Sequence, residues 1–193
     1  MITRRIGLLG GSFNPAHDGH RDISLMALEK LALDAVWWLV TPGNPLKEKS
    51  IYAPFSERMK QARAVADHAD IVVSDFENRH GLQYTVDTLE RLQTLNPDMR
   101  FVWLMGADSL ENFHLWRDWR RITNAVPIAV FNRPGYEADA LASTAGKTLA
   151  PLRLEDQDAD RLADADPPVW IFFKDADNPA SSTALRRRQA DPK

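Results

Sequence analysis

Two histidines follow a glycine turn near the start of the chain. The stretch of residues 6–20 has the sequence IGLLGGSFNPAHDGH. Gly10 and Gly11 allow the backbone to turn tightly with its amides exposed. His17 and His20 are three residues apart where a helix is expected to begin, so both imidazoles lie on one helical face. Because free amides at a helix start attract anions, the stretch predicts a phosphate-binding site.

The elements that position this turn are a strand before it and a helix after it, and the chain repeats that alternation. Short apolar runs bounded by turn residues predict strands at 6–9, 35–40, 71–73, 100–105, 127–131 and 169–173. Helical spacing of apolar residues predicts helices at about 23–33, 54–69 and 84–95, one or two short helices within 108–125, and a short C-terminal helix. Residues 135–168 show little hydrophobic periodicity, which predicts an irregular segment with at most one short strand or helix. The alternation predicts an α/β fold, a single Rossmann-like doubly wound domain over residues 1–193 with a mostly parallel sheet of five to six strands.

Polar residues concentrate in the segments that follow the predicted strands. In parallel α/β sheets ligands bind outside the carboxyl ends of the strands, so these segments should converge. Lys47 and Arg186 could neutralise phosphate oxygens, and Asp108 could accept hydrogen bonds from ribose hydroxyls. Together with the histidines, they predict a site for a nucleoside triphosphate.

Composition narrows the functional classes. The chain has 193 residues, of which 44% are hydrophobic and 26% are charged, as expected of a globular domain. A net charge of -3 provides no general attraction to nucleic acid or to an anionic membrane. The absence of cysteine excludes disulfides and thiolate metal sites. No segment has the length of a membrane span and no signal peptide is recognised, so we expect a cytoplasmic protein. A zinc site at the two histidines is disfavoured because no third ligand has a recognised spacing.

Several of these stretches resemble one enzyme family. Residues 11–20 (GSFNPAHDGH) resemble the H-x-G-H motif of the nucleotidylyltransferase superfamily, and residues 182–186 (STALR) resemble its second signature. The stretches TPGNPLK (41–47), YTVDTL (84–89) and MGADSL (105–110) are similar to those of the bacterial nicotinate mononucleotide adenylyltransferases. The similarity extends from residue 6 to about residue 188.

The resemblance implies adenylyl transfer from ATP to nicotinate mononucleotide, giving deamido-NAD and pyrophosphate. It implies that Mg²⁺ is carried by the ATP phosphates and has no dedicated protein ligands. It implies no nucleic-acid or membrane partner. Whether the chain forms a homo-oligomer is left open. The catalytic residues that it implies are His17, His20 and Arg186. The ATP-binding residues that it implies are Gly10, Gly11, Ser12, Phe13, Gly106, Asp108, Arg133, Ser182 and Thr183. The residues that it implies for the acceptor are Asn44, Lys47, Tyr84, Thr85 and Trp116, with the Trp116 indole stacked on the pyridine ring.

Other functions remain as alternatives at the level of sequence. A dinucleotide-dependent dehydrogenase is disfavoured because the chain has no G-x-G-x-x-G motif and no acidic residue after the second strand. A related adenylyl- or cytidylyltransferase, such as the pantetheine-phosphate enzyme, would share the core motifs. A preference for nicotinamide mononucleotide and a nucleotide-binding regulatory module without turnover are further alternatives. We expect Trp37, Trp38, Trp103 and Trp170 to be core residues.

Overall fold

Six strands form one parallel sheet in the protein. The computed structural model describes residues 3–43, 52–176, 180, 182, 185 and 186. The strands are β1 (Arg4–Gly11), β2 (Ala35–Val40), β3 (Ile71–Ser74), β4 (Met99–Gly106), β5 (Ile128–Phe131) and β6 (Trp170–Phe173). Their order across the sheet is β3-β2-β1-β4-β5-β6, and every neighbouring pair is parallel. The predicted α/β fold with a parallel sheet is therefore confirmed.

Helices connect the strands on both faces of the sheet. The α-helices are α1 (Asp18–Lys30), α2 (Phe55–Ala66), α3 (Phe76–His80), α4 (Thr85–Leu95), α5 (Ala107–Asn112), α6 (Trp119–Ala125), α7 (Glu137–Ala142) and α8 (Thr144–Leu149). Short 3₁₀ helices span Phe113–Leu115, Ala150–Leu152 and Asp156–Asp164. Within the described residues, no helix is both long and apolar enough to cross a membrane.

The sheet separates two apolar cores, because successive strand residues point to opposite faces. Leu8 and Trp103 belong to the core beneath α4, α5 and α6. Leu9, Trp38 and Leu104 belong to the core beneath α1, α2 and the 3₁₀ helix at Asp156–Asp164. Helices on both faces make the sheet doubly wound, as predicted. Trp38, Trp103 and Trp170 are buried, also as predicted, whereas Trp37 is half-buried and packs against the first of these cores.

The strand order reverses between β1 and β4, and this reversal creates a crevice. The last residue pair between these strands joins Leu9 to Leu104. Beyond it, β1 leads toward α1 on one face and β4 leads into α5 on the other. Chains that leave in opposite directions open a crevice at the carboxyl edge, which is where ligands bind in doubly wound sheets.

The predicted elements differ from the structure mainly where the chain is poor in large apolar residues. The prediction of an irregular segment at 135–168 was wrong, because α7, α8 and two 3₁₀ helices lie there. Each α-helix has only six residues and gives no sustained periodicity. Close packing defines them instead, since a Cβ on Gly146 would lie 2.4 Å from the Ala140 carbonyl oxygen. The helix α3 was also missed, and α1 ends at Lys30 rather than near residue 33.

Candidate active site

The turn after β1 is held in place by an aromatic stack. Phe13 has a φ of 46°, a left-handed conformation that is uncommon for a residue other than glycine. Its buried ring stacks on Trp38 at a centroid distance of 4.9 Å and lies 4.7 Å from the His20 ring. The Trp38 indole donates a hydrogen bond to Ser24 Oγ at 2.7 Å, and Ser24 Oγ donates to the His20 carbonyl at 2.8 Å. The β1 turn, β2 and the first turns of α1 therefore form one packed unit around His20.

His17 and His20 lie together at the N-terminus of α1. Their ring centroids are 3.8 Å apart. The His17 backbone N–H donates to His20 Nδ1 at 3.2 Å. A nitrogen that accepts a hydrogen bond carries no proton, so the neutral His20 ring holds its proton on Nε2. His20 can therefore donate a hydrogen bond from Nε2 while its Nδ1 caps the helix.

Both imidazoles are uncharged at neutral pH. Burial, and next the positive charge of Arg133, lower the pKa of His17 from 6.5 to about 4. Burial lowers the pKa of His20 well below 6.5, and the neighbouring His17 and Arg133 act in the same direction. An anion placed between Arg133 and the two rings would pair with the Arg133 charge and accept hydrogen bonds from the neutral N–H groups, which makes the group a receptive site for phosphate.

The exits of β4 and β5 bring an ion pair beside the histidines. Asp108 Oδ1 is buried, makes no hydrogen bond, and lies 3.4 Å from Arg133 Nε. A Cβ on Gly106 would lie 2.4 Å from Asp108 Oδ1 and 3.1 Å from Arg133 Nε, so glycine is required for this close approach. The structure thus places Gly106, Asp108 and Arg133 in contact, and Arg133 is near enough to His17 and His20 to shift their pKa values.

The second motif docks on the β1 turn. Ser182 Oγ donates to the Pro15 carbonyl at 2.9 Å, and Arg186 Nη1 donates to the Asn14 carbonyl. These contacts bring the predicted residues Ser182 and Arg186 to the histidine turn. Thr183 lies outside the described residues.

The predicted acceptor residues lie over the other face of the sheet. Tyr84 is the N-cap of α4 and Thr85 is its first residue. Trp116 is half-buried and packs at steep angles against Phe113 and Trp103, with centroid distances of 5.3 and 6.2 Å. The predicted residues Asn44 and Lys47 lie outside the described residues.

Trp103 connects the two groups of predicted site residues. A Cβ on Gly10 would lie only 2.5 Å from Trp103 Cη2, so the indole lies directly against the end of β1. The same indole packs edge-on against Trp116. Trp103 therefore contacts both the glycine turn and one of the predicted acceptor residues.

A cavity of about 170 Å³ adjoins the histidine turn. It is lined by Gly19, Asp22, Ile23, Met26, Asn132, Arg133 and Ala176. A more open depression lies at the opposite edge of the sheet beside Arg5 and Asp164, remote from all predicted site residues. Of these two, the smaller cavity shares Arg133 with the candidate site.

The groups around the histidines match phosphate oxygens better than a metal ion. Among the described residues no three His, Asp or Glu side chains are arranged to hold a metal. The available groups are imidazole N–H, hydroxyl and guanidinium donors, whereas Mg²⁺ requires oxygen ligands.

Sequence reasoning missed three polar residues that support the turn. Asn14 Oδ1 accepts a hydrogen bond from the Ala53 N–H at 3.0 Å, which ties the turn to the segment before α2. Ser24 links Trp38 to His20 as described above, and Arg58 of α2 is buried against the same edge. Asn14 lies within the first motif, which assigned it no role, whereas Ser24 and Arg58 occupy ordinary helix positions that no sequence pattern distinguishes.

The chain is similar to proteins of one family over almost its whole length. A family model described as "Cytidylyltransferase-like" matches residues 8–188. A protein of Methylorubrum extorquens (strain PA1) named "Probable nicotinate-nucleotide adenylyltransferase" is 50% identical over 184 residues, covering 95% of this chain and 100% of that protein. A protein of Rhizobium meliloti (strain 1021) with the same name is 46% identical over 181 residues, covering 94% and 96%.

The fold is also that of a solved adenylyltransferase. The structure of "Plasmodium falciparum nicotinic acid mononucleotide adenylyltransferase complexed with NaAD" aligns with a TM-score of 0.69 at 15% identity, covering 95% of this chain and 83% of that one. At this identity the likeness concerns the fold alone. The family model and the nearly full-length sequence matches show that the chain belongs to the cytidylyltransferase-like family and, within it, to the nicotinate-nucleotide adenylyltransferases.

Proposed function

We propose that the chain transfers the adenylyl group of ATP to nicotinate mononucleotide, giving deamido-NAD and pyrophosphate in NAD biosynthesis. The full-length similarity to relatives named for this activity supports the assignment. The structural observation that carries it is the pair of neutral histidines at the start of α1, beside Arg133 and adjoined by Arg186. We also propose that residues 1–193 act as one domain.

The reaction needs positioning and charge stabilisation more than a strong base. A phosphate oxygen of nicotinate mononucleotide attacks the α-phosphorus of ATP, and the bond from that phosphorus to the bridging oxygen breaks as pyrophosphate leaves. The second pKa of a phosphate monoester is about 6, so the nucleophile is already ionised at neutral pH. The site must therefore align two anions and stabilise charge on the α-phosphate.

His17 and His20 are the proposed ligands of the reacting phosphate. Uncharged rings donate through N–H, and for His20 the donor is Nε2. As negative charge develops on the phosphate oxygens, these donors bind more strongly, which lowers the barrier. Arg186 supplies a fixed positive charge at the same turn.

ATP is proposed to lie along the β1, β4 and β5 exits. Asp108 accepts hydrogen bonds from the ribose hydroxyls, and the cavity lined by Gly19 and Arg133 is a candidate place for the base. The full proposed set comprises Gly10, Gly11, Ser12, Phe13, Gly106, Asp108, Arg133, Ser182 and Thr183. The Mg²⁺ that accompanies ATP is proposed to be held by the β- and γ-phosphates, where it would help pyrophosphate to leave.

Nicotinate mononucleotide is proposed to bind on the α4 side. The Trp116 indole stacks on the pyridine ring beside Tyr84, and the free amides at the start of α4 near Thr85 bind the carboxylate. In nicotinamide an amide NH₂ replaces one carboxylate oxygen, so a hydrogen-bond donor would face the N–H donors at the start of α4. This arrangement disfavours nicotinamide. Asn44 and Lys47 are proposed to complete the pocket.

The assignment is tested by pyrophosphate release from ATP with three acceptors in parallel. Nicotinate mononucleotide, nicotinamide mononucleotide and phosphopantetheine would each be supplied with Mg²⁺, and the dinucleotide product would be identified by mass. We expect fast release with nicotinate mononucleotide, slower release with the nicotinamide form, and none with phosphopantetheine. Release with phosphopantetheine alone would overturn the assignment, and no release with any acceptor would favour a binding module.

A further inference from the structure

Arg58 is a buried arginine with no part in the chemistry proposed above. Its residue is 1% exposed, although it lies on α2, near the surface of the domain. Its guanidinium donates four hydrogen bonds, all to backbone carbonyls. Nε donates to Ala53 at 3.1 Å, Nη1 donates to Ser12 at 2.6 Å and to Thr41 at 2.8 Å, and Nη2 donates to Pro42 at 3.1 Å.

The positions of these carbonyls explain what Arg58 connects. Ser12 follows β1, and Thr41 and Pro42 follow β2, so one side chain joins the exits of two adjacent strands. The planar guanidinium has five N–H donors in fixed directions, and four are used here. Its partners are carbonyl dipoles and the rings of Tyr52 and Phe55, at 5.4 and 5.3 Å. The guanidinium of Arg58 therefore fixes the distance between the turns after β1 and β2, and it does so without an ion pair.

Burying a cation in this way is costly. Burial lowers the pKa of Arg58, which shows that the environment disfavours its charge. An apolar residue would pack on the sheet at no such cost. The carbonyls that Arg58 satisfies belong to turns that are otherwise joined by the backbone hydrogen bond from Thr41 N–H to the Gly11 carbonyl, at 3.0 Å. Its burial is therefore explained by the additional hold that it gives these turns.

Glu77 lies near the same turn. This carboxyl is 6% exposed, accepts a hydrogen bond from Thr88 Oγ1 at 3.0 Å, and lies beside the Thr41 side chain. Arg58 and Glu77 are the buried Arg and Glu side chains of the described chain, and both contact Thr41. Arg58 donates to the Thr41 carbonyl, and the Thr41 hydroxyl beside Glu77 donates to the Gly43 carbonyl at 3.2 Å.

We propose that Arg58 is a positioning residue for the acceptor nucleotide, setting the gap between the Ser12 turn and the Thr41–Pro42 turn. The inference rests on the proposed function, in which Asn44 and Lys47 follow this turn in sequence and bind the acceptor. Among the proposed ATP residues, Ser12 accepts one hydrogen bond from Arg58 through its carbonyl, whereas Gly106 and Arg133 follow β4 and β5, on the other side of β1. Two of the four hydrogen bonds of Arg58 go to the turn that leads to Asn44 and Lys47. Loss of Arg58 should therefore affect acceptor binding more than ATP binding.

The test compares the KM values for the two substrates in Arg58→Met and Arg58→Lys. Arg58→Met removes every donor while keeping an unbranched apolar stem, and should raise the KM for nicotinate mononucleotide by about tenfold or more, as expected for lost hydrogen bonds from a charged donor. The KM for ATP should change by less than about threefold.

Arg58→Lys keeps the charge, but one ammonium cannot donate to four carbonyls. Its KM for the acceptor should therefore also rise, by less than in Arg58→Met. The matched control is Arg63→Met, an exposed arginine on the same helix, which should leave both KM values unchanged.

The possible outcomes separate this inference from the proposed function. If the wild-type protein forms no dinucleotide from nicotinate mononucleotide, the proposed function fails whatever Arg58 does. If the wild type is active but folded Arg58 variants keep both KM values, or raise both equally, the positioning role is wrong. Circular dichroism and thermal unfolding identify the folded variants, and if Arg58→Met does not fold, the KM values of Arg58→Lys decide.

Discussion

His20 has two separable tasks, one at each ring nitrogen. Nδ1 accepts the His17 N–H and so stabilises the start of α1, while the proton on Nε2 is available to the substrate. An asparagine side chain at this position can place its oxygen where Nδ1 lies but has no atom in the place of Nε2. The structure thereby offers a way to remove the proposed chemistry while retaining the cap.

We expect His20→Asn to stay folded and to lower turnover by about 10²- to 10³-fold, the usual effect of removing one donor to a developing anion. The rate of pyrophosphate release at saturating substrates would measure it. His68→Asn, at an exposed histidine before β3, is the control and should retain wild-type turnover. A His20→Asn enzyme with near-normal turnover would contradict the proposed role of His20.

At the level of elements, the end of β1 lies directly against the Trp103 indole. Gly10 and Gly11 are neighbours in the sequence but face different surroundings. A Cβ on Gly10 would lie 2.5 Å from Trp103 Cη2, whereas the nearest atom to a Cβ on Gly11 is Phe13 Cε2 at 3.4 Å. The first distance requires the indole to move and the second is an ordinary contact, so the two glycines should tolerate alanine differently.

Gly10→Ala should therefore lower the free energy of unfolding by about 1–3 kcal/mol, as expected for overpacking. Gly11→Ala should change it by less than about 0.5 kcal/mol, the usual limit for a substitution without a clash. Urea unfolding of both variants at neutral pH would measure the difference. Equal effects would show that Trp103 does not restrict Gly10.

The elements also show how far the sequence predicts the fold. Strand β2 has the predicted bounds because AVWWLV is a continuous apolar run, as parallel strands buried on both faces require. The short helices α7 and α8 were not predictable in this way, because contacts such as that of Gly146 with Ala140 are made only in the folded chain. Local pattern determines the long buried elements, and tertiary packing determines the short ones.

The candidate site shows the same division. His17, His20, Arg133 and Arg186 were predicted from motifs, and the structure brings them to one turn. Arg58 was missed because an arginine within a helix normally faces solvent. Nothing in its neighbours along the sequence indicates that Ser12 and Thr41 turn their carbonyls toward it.

For the whole molecule, the lowered pKa values of the two histidines predict a pH-dependent stability. Between about pH 4 and 6.5 an unfolded imidazole is protonated while His17 in the folded protein is not. The unfolded state then binds more protons, so the free energy of unfolding should rise with pH through this window and level off above 6.5. The difference between 6.5 and about 4 at His17 corresponds to on the order of 3 kcal/mol, and His20 acts in the same direction.

This dependence can be isolated by urea unfolding between pH 4.5 and 7.5 in the wild type and in the double variant His17→Asn/His20→Asn. Glu77 opposes the trend, since burial raises its pKa and its contribution is lost as pH rises. Because Glu77 is common to both proteins, the difference between their slopes reports on the histidines. A double variant with the wild-type slope would disprove the assignment.

The central place of β1 in the sheet has a consequence for synthesis. Arg4 pairs with Met99 on β4, and Asn14 receives its hydrogen bond from Arg186. A ribosome adds about 5–20 residues per second, so the histidine turn waits roughly 5–20 s for β4 and longer for Arg186. The histidine turn is thus translated before β4 and before Arg186, and nascent chains that end before Arg186 would carry both histidines while lacking the contact that Arg186 makes with Asn14.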